Sequence, residues 1–302
     1  MKMLITGSSG LIGSALIPFL EKKKKEVYRL VRSGESLLTN EILWDLQRGK
    51  IDPSLLEGMD VVIHLAGENV MGRWSKAKKE RIRESRIKGT QLLCQALCQL
   101  ERPPSTLICA SAIGYYGDRG DEILTEQSGK GKGFLADLCE EWEQATRSVV
   151  QQGVRVVHLR LGMVLSSQGG VFKKMLPLFK WGLGGKIGSG SQYVSWIAID
   201  DLLSMIEYAI DQEWLAGPLN AVSPSPVTNA EWTRTWGDLL HCPLFFFMPS
   251  FMVKVIFGES GEELLLSSQR VQPKKLQEHG FQFQYPHLKE ALWGLYTLIE
   301  QV

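Results

Sequence analysis

The chain has 302 residues, 44% hydrophobic and 22% charged, and its 34 Lys and Arg against 33 Asp and Glu leave a net charge of +1. That apolar fraction can build a sizeable core and excludes global disorder; the charge balance gives no support to a nucleic-acid binder. No run of 18 apolar residues exists, so no membrane-spanning helix is predicted, and the length suits one large domain or two ordinary ones.

In chain order, residues 2–6 are short and apolar and predict a strand. A helix is expected over 11–23, where Pro18 should kink it or cost stability. Strands are expected at 27–31, more weakly at 42–46, and at 60–66. The last of these (DVVIHLA) is apolar enough to be buried on both faces. Residues 75–100 read as a long helix, with Leu93, Ala96, Leu97 and Leu100 at helical spacing. Strands at 105–110 and 154–161 flank a helix near 134–152. This alternation predicts an α/β fold, a Rossmann-type doubly wound parallel sheet. Asp200 and Asp201 precede an apolar helical run and read as N-caps. Lys22 to Lys25 suit a helix C-terminus.

The last third differs. Gly and Ser cluster at 182–191, Pro and Ser at 223–226, and aromatic-rich, mainly helical segments follow. The expected division is a nucleotide-binding domain over 1–222, with a substrate-side excursion near 165–195, and a small domain over 223–302 completing a cleft. Residues 243–258 are apolar and aromatic and read as core or pocket lid, the alternative being a membrane or partner surface. The five cysteines are odd in number, dispersed and without C-x-x-C, so neither a disulfide framework nor a zinc site is expected. Cys94 and Cys98, four apart on a helix, read as packing. The five histidines form no cluster, and no metal is expected. The N-terminus, MKMLITGSSG, reaches glycine too soon for a signal peptide, and the expected location is cytoplasmic.

The strongest motif is Thr6-Gly7-Ser8-Ser9-Gly10-Leu11-Ile12-Gly13, between a predicted strand and helix. A dinucleotide pyrophosphate needs such a turn, free of side chains and with N–H groups at a helix N-terminus. Gly7 would allow the turn, Gly10 the phosphate, and Gly13 close packing of helix on sheet. The spacing, G-x-x-G-x-x-G, differs from the commoner G-x-G-x-x-G. An acidic residue about 20 positions on would select NAD. The second strand instead ends Leu30-Val31-Arg32-Ser33, with no carboxylate before Glu35. Arg32 suits the 2′-phosphate of NADP; the ordinary alternative is a solvated arginine. Asp45, ending the third strand, is a candidate to meet the adenine.

TGSSGLIG (6–13) and HLAG (64–67) resemble the extended or atypical short-chain dehydrogenase/reductases. GENVMGRW (67–74), ESRIKGTQLL (84–93), SAIGYYGDRGDE (111–122), GFLADLCEEWE (133–143), LRLGMVLS (159–166), IGSGSQYVSWIAIDDL (187–202) and LNAVSPSPVTNAEW (219–232) narrow the match. Together they resemble the epimerase family of NADP-dependent oxidoreductases, similar to nucleotide-sugar epimerases. The tail from about Pro243 resembles that family's C-terminal domain of unknown function. The resemblance covers nearly the whole chain and implies NADP(H) as cofactor. It implies Gly7, Ser8, Ser9, Gly10, Leu11, Ile12 and Gly13 at the pyrophosphate and Arg32 at the 2′-phosphate. Leu65, Ala66 and Gly67 would pass the ribose and adenine, Arg86 would reach the cofactor, and Met163 would lie by the nicotinamide.

The wider superfamily uses Ser or Thr with Tyr-x-x-x-Lys, the Tyr as acid/base. Here that helix begins Phe134-Leu-Ala-Asp-Leu138, which has neither phenol nor charge. Ser111 follows the fifth strand as the superfamily's hydroxyl should, although counting back four from Tyr116 rather than Tyr115 gives Ala112. Tyr115 and Tyr116 are candidate acids, with Lys130 or Lys132 of the GKGKG loop (129–133) as the neighbouring charge. The alternative is that both tyrosines pack with satisfied hydroxyls. Glu68, Arg73 and Gln192 are substrate candidates. Residues 182–190 lack the G-K-[ST] ending of a P-loop. Three readings stay open: an NADP(H)-dependent oxidoreductase or epimerase acting on a small polar substrate such as a sugar derivative; a non-catalytic NADP(H)-binding sensor or scaffold; and an interaction protein with a relic fold, against which the intact glycines argue. The expected partner is a small molecule, with no nucleic acid or membrane. A homodimer through helices flanking the sheet is what the superfamily resemblance implies.

Overall fold

The computed structural model describes residues 1–32 and 38–300; Ser33 and Glu35 lie outside them. Strand β1 (Lys2–Thr6) leads into helix α1 (Leu11–Lys22), then β2 (Glu26–Val31), β3 (Glu41–Asp45) and β4 (Lys50–Ile51). Next come β5 (Val61–His64), α2 (Lys76–Leu97), β6 (Thr106–Ala112), α3 (Phe134–Gln144), α4 (Arg147–Gln151) and β7 (Arg155–Leu161). After α5 (Gly170–Lys180) and α6 (Ile199–Asp211), β8 (Gly217–Ala221) is the last strand of the main sheet. Helices α7 (Asn229–Leu240), α8 (Ser250–Phe257) and α9 (Leu288–Glu300) follow.

The main sheet runs in the order β8, β7, β6, β5, β1, β2, β3, β4. Its pairings are parallel except that of β3 with β4. All four residues of β5 are buried, as a strand covered on both faces requires. Met3 and Ile5 pack with Leu16, Leu202 and Met205 of α1 and α6 on one face. Leu4 and Val62 pack with Leu93, Leu97 and Trp142 of α2 and α3 on the other. From β1 the chain crosses to β2, while β5 pairs on β1's other side. The strand order therefore reverses between β1 and β5, and the crevice beyond their carboxyl ends is where ligands bind in such sheets.

Pro18 lies inside α1 on its exposed side, as does Ser14, whose carbonyl loses its helical donor to the proline. Two local expectations change. The helix expected over 134–152 is two, α3 and α4. The Thr146 hydroxyl donates to the Glu143 carbonyl at 2.8 Å and lies 2.9 Å from His158 Nε2, a side-chain bond that competes with helix continuation. Asp200 and Asp201 do not cap α6; Ala198 is its N-cap and both acids sit in the first turn. The Asp201 carboxylate instead accepts from the N–H groups of Gln284 (2.6 Å) and Tyr285 (3.0 Å), tying down the approach to α9.

A third core lies beside the sheet. Phe172 and Phe179 of α5 and the strand Trp196–Ala198 pack against Trp232 and Trp236 of α7 and Leu292 of α9. The strand Gly185–Ile187 pairs in parallel with Phe246–Met248. The excursion from the sheet and the C-terminal segments thus share one apolar cluster.

Candidate active site

The loop after β1 is shaped by what surrounds its glycines. Gly7 has φ +70°, and a Cβ there would lie 2.7 Å from the Leu65 carbonyl carbon and 2.8 Å from the Ala66 nitrogen. Glycine is the residue that fits both restraints. A Cβ on Gly13 would stand 2.3 Å from the Gly7 carbonyl oxygen, so α1 lies directly on the turn. Beneath it, the N–H groups of Leu65 and Ala66 donate to the Thr6 hydroxyl oxygen, both at 3.2 Å. That leaves the Thr6 proton for His64 Nδ1 at 2.7 Å. His64 Nε2 then donates to Thr90 at 3.0 Å, where Trp142 Nε1 also donates at 2.9 Å. Burial pushes the His64 pKa down to about 4, as this neutral tautomer requires. The chain Thr6–His64–Thr90–Trp142 clamps the ends of β1 and β5 together; sequence reading assigned it no role.

Above this floor opens a groove of about 490 Å³, lined by Gly7 to Gly10, Arg29, Arg32, Trp44 and Leu65 to Glu68. A second groove of about 750 Å³ adjoins it, sharing Arg32, Trp44, Glu68 and Ser85 and adding Asp45, Arg81 and Lys88. Leu11 and Ile12 form the first turn of α1 at the loop's edge. Asp45 spends one carboxylate oxygen on the N–H groups of Gln47 (2.9 Å) and Arg48 (3.0 Å), so it shapes a turn at the groove's outer end. Arg29 Nε and Trp44 Nε1 are both buried without a hydrogen-bond partner, although both residues line the groove. Two orphaned donors beside a glycine cradle are what a ligand rich in acceptors would satisfy. Arg29 escaped the sequence reading; its signal was an arginine within the otherwise apolar run Val27 to Val31.

Arg86 lies behind the groove wall. Its guanidinium carbon would be 3.2 Å from a Cβ on Gly67, it donates to the Glu68 carbonyl at 3.0 Å, and it stands over the Trp142 ring at 5.0 Å. Burial lowers its pKa. Arg86 therefore props the loop that carries Gly67 and Glu68. The Glu68 carboxylate takes a 3.0 Å hydrogen bond from Lys78, which holds it below the usual carboxylate range. Arg73 reaches the Val255 carbonyl of α8 at 3.4 Å. Gln192 is buried and donates to the carbonyls of Ile187 (2.9 Å) and Leu265 (3.1 Å). Met163 begins the short strand that pairs with Trp196–Ala198. None of Arg73, Arg86, Met163 or Gln192 lines the two grooves.

The residues proposed for proton transfer form a network of their own. Ser111 is buried and donates to Glu143 at 2.8 Å. Arg160 forms a two-bond pair with the same carboxylate, Nε and Nη2 each at 2.9 Å. Tyr116 is fully buried; it donates to Asn220 at 2.7 Å and accepts from Arg160 at 3.0 Å. Burial pushes its pKa up to about 12. Tyr115 is half-buried, with the Arg160 guanidinium 3.5 Å from its ring centre. The charge beside the tyrosines is therefore Arg160 and not Lys130, which pairs with Asp137 and Glu140. Phe134 packs edge-on against Trp74, and Lys79 lies over its ring. The N–H groups of Phe134 and Leu135, at the start of α3, both donate to the Glu263 carboxylate at 2.8 Å. Glu263 comes from the π-helical turn Glu262–Leu266. Among the described residues no cluster of His, Cys, Asp and Glu could hold a metal.

Residues 3–218 match the profile of the NAD dependent epimerase/dehydratase family. The chain belongs to that family. Its residues 248–293 match a domain of unknown function (DUF1731). The chain is 44% identical over 289 residues, 95% of each protein, to the epimerase family protein Mb2239 of Mycobacterium bovis. It is 33% identical to the chloroplastic epimerase family protein SDR39U1 homolog of Arabidopsis thaliana, over 97% of this chain and 86% of that one. The crystal structure of human epimerase family protein SDR39U1 with NADPH superposes with a TM-score of 0.89 at 33% identity, covering 98% of this chain and 99% of the other. The epimerase-family sheet is thus of Rossmann type, as its strand alternation predicts.

Proposed function

We propose that this epimerase-family chain is an NADP(H)-dependent oxidoreductase acting on a small polar substrate, of which a sugar derivative is one class. The observation that carries the reading is the glycine-floored groove at the β1–β5 reversal with Arg32 on its rim. The human relative crystallised with NADPH supports the same cofactor. Gly7 and Gly10 admit a pyrophosphate to the backbone N–H groups at the start of α1. Arg32 pairs with the 2′-phosphate, a charge-assisted bond worth about 1.5–3 kcal/mol, or roughly 10–150-fold in affinity. Leu65, Ala66 and Gly67 wall the groove, and Arg86 holds that wall in place. When bound, the nicotinamide supplies or accepts the hydride.

Tyr115 is the side chain we assign to proton transfer. Tyr116 and Ser111 have committed their hydroxyls to Asn220 and Glu143, whereas no hydrogen bond among the described residues engages the Tyr115 hydroxyl. Arg160 against the Tyr115 ring fixes its direction. Five free thiols among the described residues support a reducing compartment such as the cytoplasm.

The test is a parallel titration with NADPH and NADH. Wild type should prefer NADPH by tens-fold, and Arg32→Ala should erase the gap. If neither nucleotide binds, the reading falls. A second reading, a non-catalytic NADP(H) sensor, is favoured by Phe134 and Leu138 standing where the superfamily keeps Tyr and Lys. Substrate-dependent NADPH oxidation that disappears in Tyr115→Phe, with nucleotide affinity intact, decides for the enzyme.

A further inference from the structure

We propose that the face built from the end of α5, residues 245–248 and α8 docks on an anionic lipid bilayer. Large apolar side chains stand out from it: Phe245 is 89% exposed, Trp181 74%, Val255 69% and Phe251 66%. Trp181 and Phe245 each lead into one of two paired strands, and α8 begins two residues after the second. The strand Gly185–Ile187 pairs with Phe246–Met248, and Lys186 Nζ lies 5.4 Å from the Phe247 ring centre. On α8, Phe251, Met252, Val255 and Ile256 share one exposed side while Val253 points inward. A soluble chain gains nothing by displaying such a patch unless something covers it.

The charge pattern says what covers it. No Asp or Glu occurs between Glu143 and Asp200, nor between Asp238 and Glu259. Both segments that build this face fall in those gaps. Lys186 is exposed beside Phe247 and Lys180 at the end of α5, where its Nζ lies 5.3 Å from the Tyr296 ring centre, with Lys173 and Lys174 exposed further back along α5; none of the four has a carboxylate partner among the described residues. At the rim, Glu259 is paired with Lys79 and Glu262 with Lys254, and Asp238 is exposed. These two acid-free segments thus put lysines without carboxylate partners near the exposed aromatics.

A second copy of the chain fits poorly, because a two-fold contact would set these lysines against each other. A partner helix seeks a groove, whereas Phe245 and Trp181 protrude. A bilayer surface takes protruding aromatics at headgroup depth and lysines at its phosphates. No helix among the described residues is long and apolar enough to span a membrane. This departs from the expectation of no membrane partner: a chain can lie on a bilayer surface without a spanning segment.

The test uses the full chain and vesicles of phosphatidylcholine alone or with about one third phosphatidylglycerol, read by co-sedimentation at low and high salt. Binding is expected to the anionic vesicles alone and to weaken with salt. Lys180→Glu with Lys186→Glu should reduce it roughly tenfold or more, and Phe245→Ser with Phe251→Ser should abolish it. Lys22→Gln with Lys25→Gln, on α1 and the turn after it, should leave it unchanged. Thermal melts and NADPH titration check that each variant folds; Trp181→Ser replaces the double serine variant if that one does not. Equal binding to both vesicles, or none, overturns the proposal. So does a dimer in light scattering that the serine variants dissolve, which would assign the face to a second copy.

Discussion

His64 sits between Thr6 and Thr90 at the base of the glycine-floored groove, and its charge state bears on the whole molecule. Its ordinary pKa is 6.5 and its folded value about 4. Between those values the unfolded chain binds a proton that the folded chain refuses. Stability is therefore full above pH 6.5 and is lost as pH falls toward 4, by on the order of 3 kcal/mol. His158, also lowered by burial, adds to the same slope. Urea unfolding at pH 7, 5.5 and 4.5 should show the loss, and His64→Gln should flatten it at a lower starting stability; a wild-type profile flat over this range would refute the assignment. Gly7→Ala tests the floor directly. With φ +70° and backbone atoms within 3 Å of the added methyl, it should cost about 1–3 kcal/mol and remove most nucleotide affinity, seen in melts and in NADPH titration. The glycines were legible because strand, turn and helix frame them in sequence. Thr6 and His64 were not, because a short polar residue ending a strand looks the same whether it caps, clamps or faces water.

Helix α3 illustrates how an element is held by residues far along the chain. Glu263 lies more than 120 positions from Phe134, yet its carboxylate takes both N–H groups at the helix start. Glu263→Ala should cost about 2 kcal/mol and accelerate amide exchange at Phe134 and Leu135, with Glu263→Gln intermediate. Exchange unchanged at both amides would show the contact to be idle. At the other end of the same helix, Glu143 neutralises buried Arg160. Glu143→Ala should destabilise by about 3–5 kcal/mol, since it strands a buried charge; chemical denaturation measures it. Periodicity found α3 but not its break at Thr146, nor its partner Glu263. A hydroxyl that turns back on its own helix leaves no trace in spacing, and the second carboxylate of Glu262-Glu263, before three leucines, reads as surface. Arg160 was likewise illegible, because a charge in a strand is ordinarily solvated and here it meets three side chains, Glu143, Tyr115 and Tyr116.

Over the whole molecule, the sheet order followed from strand–helix alternation, because parallel crossovers leave few topologies to choose from. The third core was harder to foresee. Its strands are two to four residues long, too short for a two-residue alternation to register. What joins them is long-range: α5 and α7 share Phe172, Phe179 and Trp236, with Phe179 and Trp236 stacked at 5.3 Å. A chain ending at residue 222 would keep the glycine loop but leave that cluster uncovered. It should be far less soluble than the full chain and bind hydrophobic dyes, which a parallel expression and dye-fluorescence comparison would measure; a soluble, dye-silent truncation would show the sheet to be self-sufficient.

The joining of α5 to α9 has a consequence for how the chain is made. Leu292 meets Phe172 and its neighbours across more than a hundred positions, and Asp201 waits for Gln284 and Tyr285. At a synthesis rate of about 5–20 residues per second, the apolar side of α5 emerges from the ribosome roughly 5–25 s before α9, which completes the cover that α7 begins. During that interval a nascent chain offers Phe172, Phe179 and Trp196 to any other nascent chain nearby. Dense polysomes should therefore aggregate this protein more than dilute ones, and slowing translation should worsen its yield.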